Sequence, residues 1–133
     1  MEIEIERVLK GKKGLVIDDS PTILHLVLKY LTLQGCEVTT TSDIQTASDI
    51  VSGENFDFIL CDIKMPGLGG PDFYRMVTEQ KSHLKDRIIF ITGDALDESA
   101  KAFIDSVTNP HIEKPFNLNK LGEIIVKTLI NTP

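Results

Sequence analysis

Short, nearly continuous apolar runs take turns along the chain with longer stretches whose apolar positions recur every three or four residues. The runs Gly14-Leu15-Val16-Ile17, Phe56-Asp57-Phe58-Ile59-Leu60-Cys61 and Arg87-Ile88-Ile89-Phe90-Ile91-Thr92 read as buried strands of a parallel sheet. Glu37 to Thr41, rich in β-branched residues, predicts a further strand, and His111-Ile112-Glu113 a brief fifth. Between them the spacing predicts helices from Pro21 to about Gln34, Ile44 to Ser52, Pro71 to Leu84 and Asp97 to Val107. A last helix follows Asn117, with Leu118, Leu121, Ile125 and Leu129 at helical spacing. Ser20 and Pro21 suit an N-cap and first helical position, and Gly35 and Gly53 suit helix stops. Strands alternating with helices imply an α/β fold: a parallel sheet covered on both faces, joined by right-handed crossovers.

Two stretches fit this pattern less well. Residues 1–13 are charged and weakly patterned, so they read as an N-terminal tail or linker before a domain spanning 14–133. The period-two order Glu2-Ile3-Glu4-Ile5-Glu6 leaves a short edge strand as the alternative. In the first long helix, the apolar residues from Ile23 to Leu33 cover an arc of roughly 220°, about twice the stripe a surface helix needs. Ile23, Leu24, Val27, Leu28 and Leu31 suffice for a core. Leu26, Tyr30 and Leu33 form a surplus flank, suited either to packing under a loop or to docking a partner helix.

Composition narrows the class. The 133 residues suffice for one domain with a real core, and 41% hydrophobic with 26% charged residues is ordinary for a soluble protein. A net charge of −6 argues against nucleic acid or anionic membrane as the direct partner. No apolar segment approaches membrane-spanning length, and the N-terminus lacks the order of a signal peptide. Cys36 and Cys61 form no disulfide framework and no metal-ligand spacing. The expected location is the cytoplasm.

The strand ends carry the chemistry. In a parallel sheet all carboxyl ends share one edge, where open α/β folds bind ligands. That edge gathers Asp18 and Asp19 after strand one, Asp62 after strand three, Thr92 after strand four and Lys114 after strand five. Three carboxylates held together repel one another, so a divalent cation is the natural way to keep them ionised. All-oxygen ligands favour Mg²⁺. A lysine and a hydroxyl opposite it suit a transferring phosphoryl group, which needs positioning and charge neutralisation.

With these residues in place, the span from about Gly14 to Thr128 resembles the receiver domain of bacterial two-component response regulators and hybrid histidine kinases. The matching motifs are Val16-Ile17-Asp18-Asp19-Ser20, Leu60-Cys61-Asp62-Ile63-Lys64-Met65-Pro66-Gly67, Phe90-Ile91-Thr92-Gly93 and Glu113-Lys114-Pro115-Phe116. The resemblance implies a flavodoxin-like, doubly wound five-stranded sheet of order 2-1-3-4-5. It implies Asp62 as the phosphoacceptor, taking a phosphoryl group from a phosphohistidine partner. Asp18, Asp19 and Asp62, with the backbone carbonyl of Lys64, would hold Mg²⁺. Thr92 would be the switch hydroxyl, Lys114 the lysine that pairs with the phosphoryl group, and Pro115 would follow a cis peptide bond. Gly93 fits a preference for a small residue that leaves room for the phosphate. The partner so implied is a histidine kinase or histidine phosphotransfer domain, with a homodimer through the last two helices and fifth strand as a further arrangement. On this resemblance the chain is a stand-alone receiver or a module of a hybrid kinase, a signalling domain rather than an enzyme.

The sequence also departs from that family. His111 stands where Tyr or Phe often serves as a rotameric switch, and a buried structural histidine is the equal alternative. Thr108-Asn109-Pro110 replaces the usual Gly-Ala segment. Lys64 and Asp94, each two residues past a site residue, are expected to face each other across the mouth and tune the lifetime of an acyl phosphate. Rival readings fit less well. A haloacid-dehalogenase-type phosphatase needs a second Asp where Ser20 stands, and a flavodoxin-like electron carrier needs a hydroxyl- and Gly-rich loop after strand one. A degenerate receiver used only for binding would lack the acceptor or the acid pair, and both are present.

Overall fold

Five short strands, each followed or preceded by a helix long enough to cross back over them, leave one economical arrangement. The computed structural model, which describes residues 2–93 and 97–131 with side chains from Glu4 onward, adopts it. Strands β1 (Lys13–Ile17), β2 (Glu37–Thr41), β3 (Phe58–Asp62), β4 (Ile88–Thr92) and β5 (His111–Glu113) form one parallel sheet in the order β2-β1-β3-β4-β5. Every residue of β3 and β4 is buried, as expected of central strands covered on both faces.

Alternation along the strands feeds two separate cores. Leu15, Ile17, Ile59, Cys61, Ile88 and Phe90 point to a layer built with helices α3 (Ile44–Gly53), α4 (Gly70–Gln80) and α5 (Glu98–Ser106). Val16, Phe58, Leu60, Ile89, Ile91 and Ile112 point the other way, to α2 (Pro21–Leu33) and α6 (Leu118–Asn131). No described helix is long and apolar enough to cross a membrane.

Residues 2–9, expected as a tail or edge strand, instead form a helix, α1 (Glu2–Leu9). The Ile–Glu alternation suggested a strand, but the burial has period four: Ile5 and Leu9 are buried while Glu4 and Glu6 stay exposed. Both apolar side chains join the core beneath α2 and α6. Its docking needs close approach, because a Cβ at Gly122 of α6 would lie 2.4 Å from Tyr30 Oη and 3.0 Å from Ile5 Cγ2. This also revises the surplus flank of α2. Tyr30 packs into the same core, and only Leu26 and Leu33, 42% and 71% exposed, remain outside.

The helix expected over 71–84 is shorter. It ends at Gln80, and a 3₁₀ segment (Ser82–Arg87) follows, which brings Leu84 into the core by a tighter path.

Candidate functional site

Strand register assembles the site. Ile17 pairs with Cys61, Asp62 with Ile91 and Thr92 with Glu113, so the residues that leave these strands share one edge. Asp18 and Thr92 are fully enclosed, Asp62 is 4% exposed, and Asp19 is open to solvent. One carboxylate oxygen from each of Asp18, Asp19 and Asp62 lies within 4.8 Å of the others. All five residues expected at this edge are there.

Each is held by local structure. Asp18 Oδ1 accepts from the Ser20 backbone N–H at 2.9 Å, and Ser20 Oγ in turn accepts from Ile23 N–H as the N-cap of α2. The chain after Asp62 turns sharply back. Gly70 allows this, since a Cβ there would meet Ile63 Cα at 2.9 Å and Asp62 O at 3.1 Å. Lys114 follows β5, its N–H bonded to Thr92 O at 2.8 Å, and the Lys114–Pro115 peptide is cis as expected.

Lys114 Nζ lies 3.0 Å from Asp18 Oδ2 and 3.3 Å from Asp62 Oδ2, bridging the two buried carboxylates. Burial, then the neighbouring charge of Asp18, pushes the Asp62 carboxyl up to about 6, although Lys114 pulls the other way. Burial acts to lower the Lys114 ammonium, but Asp18 and Asp62 outweigh it and its pKa is raised. The Cys61 thiol, enclosed beside these acids, is pushed far up by burial and stays neutral.

Among the described residues, one ammonium therefore bridges two members of a group of three carboxylates. Asp18 Oδ2 is buried, and among the described residues its polar neighbour is the Lys114 ammonium at 3.0 Å, which it shares with Asp62. Converging carboxylate oxygens of this kind, two of the acids buried, form a donor set that fits a small hard cation. Thr92 Oγ1 donates weakly, at 3.5 Å, to Ile112 O of β5. Among the described residues, a Cβ at Gly93 would meet nothing within 4 Å.

Asp94 lies outside the described residues, and the Lys64 ammonium bonds Asp97 Oδ2. Sequence reasoning had marked Asp97 only as the start of a helix. The Lys64 ammonium, then the Ala100 N–H, pulls its carboxyl down to about 2. His111 is exposed at the amino end of β5, which removes the buried structural alternative. Beside it, Asn109 was missed as a structural residue. Its Nδ2 donates to Lys85 O at 2.7 Å and Ile88 O at 2.9 Å, clamping the entry to β5.

The comparisons with known proteins agree with this geometry. The family model described as "Response regulator receiver domain" matches residues 15–126. The protein of Cyanophora paradoxa described as "Probable transcriptional regulator ycf29" is 30% identical over 111 residues, covering 84% of this chain and 53% of its own. Sensor protein GacS of Pseudomonas syringae pv. syringae is 27% identical over 121 residues, 89% of this chain and 13% of its own. The chain thus spans about half or less of the curated relatives it matches. Among solved structures, the receiver domain of sensor histidine kinase PA1611 from Pseudomonas aeruginosa PAO1, determined with a magnesium ion in its active site cleft, superposes with a TM-score of 0.80. It is 25% identical, and the match covers 91% of this chain and 99% of that one. A response regulator receiver domain protein from Clostridium thermocellum gives 0.79 at 28% identity, over 90% and 94%. The fold, the edge of acids with its lysine, and a family match over most of its length lead to one conclusion: this chain belongs to the response regulator receiver domain family of two-component signalling.

Proposed function

We propose that Asp62 is the phosphoacceptor of this receiver domain and that a phosphohistidine of a histidine kinase or histidine phosphotransfer domain is its donor. The observation that carries this is a carboxylate buried at a strand end, 3.3 Å from one ammonium and grouped with two further acids. In the transfer, an Asp62 oxygen attacks phosphorus in line with the histidine nitrogen. The P–N bond breaks, the imidazole leaves with a proton from solvent, and an acyl phosphate forms on Asp62. Mg²⁺ held by Asp18, Asp19 and Asp62, with the Lys64 carbonyl, would supply positive charge for the phosphoryl oxygens. Lys114 neutralises a further oxygen from the opposite side. The Thr92 hydroxyl exchanges its long bond to Ile112 O for one to the phosphoryl group, and this movement beneath β5 is the switch. Asp62 must be ionised to attack, so a pKa of about 6 without metal places its working form at neutral pH and above.

The domain works in the cytoplasm beside its kinase. Incubation with acetyl phosphate tests the reading. The chain gains one phosphoryl group in Mg²⁺, none in excess chelator and none in Asp62→Ala. Label retained by Asp62→Ala counts against it.

A further inference from the structure

An ion pair ties the loop after Asp62 to helix α5. Lys64 donates its ammonium to Asp97 Oδ2, although 33 positions separate them in sequence. Asp97 is also the N-cap of α5: its Oδ1 accepts from Ala100 N–H at 2.8 Å and from Ser99 Oγ at 3.1 Å. Its two oxygens thus have separate tasks, one holding the helix end and the other holding Lys64. Both side chains stand in solvent, 64% and 44% exposed, so the pair can exchange partners at small cost.

We propose that Asp97 is a positioning residue for the reaction at Asp62: it draws the Lys64 ammonium away from the phosphoryl group and so shortens the life of the phosphoaspartate. This rests on the reading of Asp62 as the phosphoacceptor. Lys64 lies two residues beyond Asp62, on a long flexible stem, and a phosphoryl group there is a second anion competing with Asp97 for it. Hydrolysis requires a water oxygen to attack phosphorus. The bond from phosphorus to the Asp62 oxygen then breaks, inorganic phosphate leaves, and Asp62 regains its carboxylate. An ammonium laid on the phosphoryl oxygens adds a charge-assisted hydrogen bond to the phosphorylated state. Its stem also covers part of the face at which water arrives. Asp97 opposes both effects by keeping Lys64 at the cap of α5.

The test uses Asp97→Asn, which removes the charge but keeps an oxygen able to cap the helix. The chain is phosphorylated with phosphoramidate in Mg²⁺, the donor is removed, and the loss of label from Asp62 is followed in wild type, Asp97→Asn, Lys64→Met and the double variant. The expected result is a half-life lengthened by up to about fivefold in Asp97→Asn, the scale of an exposed ion pair. Lys64→Met is no longer-lived than wild type, and the double variant matches Lys64→Met because Asp97 acts only through Lys64. A capping role alone would lower the melting temperature and leave the half-life unchanged. Equal lengthening by Asp97→Asn in both backgrounds, or in neither, overturns the proposal while leaving Asp62 as acceptor. A wild-type chain that takes up no label at Asp62 overturns that reading and this inference with it.

Discussion

Replacing Asp62 by Asn should make the metal-free protein more stable, and the structure gives the size of the effect. Asp62 is 4% exposed and shares its site with Asp18, so its carboxyl rises from an ordinary 3.8 to about 6. A folded-state pKa above the unfolded one means that the neutral form is favoured in the fold. The stability it contributes is full below pH 3.8, falls as pH rises and is lost by about pH 6. At 1.36 kcal/mol per pK unit, ionised Asp62 costs about 3 kcal/mol at pH 7.5. Asn has the same shape, does not titrate and leaves Lys114 its partner Asp18. Chelator-treated Asp62→Asn should therefore melt about 10 °C above wild type at pH 7.5, taking roughly 3–4 °C per kcal/mol for a domain of this size. By pH 4 the difference should shrink to roughly 0.5 kcal/mol, because wild-type Asp62 is by then neutral in the fold and only partly ionised in the unfolded chain. Mg²⁺ should raise the wild-type melting temperature more than that of the variant. Thermal melts at the two pH values, with and without Mg²⁺, measure all of this. A variant equal to or less stable than wild type at pH 7.5, or a gap independent of pH, would refute the account of a strained acid cluster.

Three further outcomes follow from the same contacts. Leu9→Ala, which empties a fully buried position under α2 and α6, should cost about 2–5 kcal/mol in urea unfolding and leave phosphoryl uptake per folded molecule unchanged. Asn109→Ala strips the amide donor from Lys85 O and Ile88 O and should cost about 1–3 kcal/mol by the same measurement. Lys114→Met removes the charge that holds Asp62 down. The Asp62 titration, followed by carboxyl NMR in chelator, should move above its wild-type midpoint of about 6; a midpoint unchanged or lower would contradict the bridging role.

The sheet and its site edge were legible because their signals are local and redundant. Phe58 to Cys61 and Ile88 to Ile91 are too apolar for anything but a covered strand, and each run ends in a residue with chemistry to offer. Once the strands are parallel, Asp18, Asp62, Thr92 and Lys114 must share an edge, whatever the details of packing. What was illegible depended on partners far away in sequence. The Ile–Glu alternation of residues 2–6 supports a strand until Gly122, more than a hundred residues later, supplies the notch that accepts Ile5 on a helix. Tyr30 looked surplus for the same reason, since its place is set by α6 and α1. The partner of Lys64 is fixed by where α5 begins, and element boundaries are the least certain part of any pattern. Asp97 nevertheless carried a readable sign, an acidic N-cap three residues before Ala100, and a second use of its carboxylate was open to inference. His111 is exposed because β5 is a short edge strand, and only its middle residue, Ile112, reaches the core.

The central claim is that this edge exists to carry a phosphoryl group on one carboxylate. Phosphoramidate offers the P–N bond that a phosphohistidine would, and borohydride reduction converts an aspartyl phosphate into homoserine, marking the residue permanently. After incubation of the intact chain with phosphoramidate and Mg²⁺, then reduction and peptide mass mapping, the account predicts homoserine at position 62 and at no other aspartate, with none formed in chelator. Homoserine at Asp18 or Asp19, or its absence from position 62 in a folded, Mg²⁺-loaded chain, would contradict it.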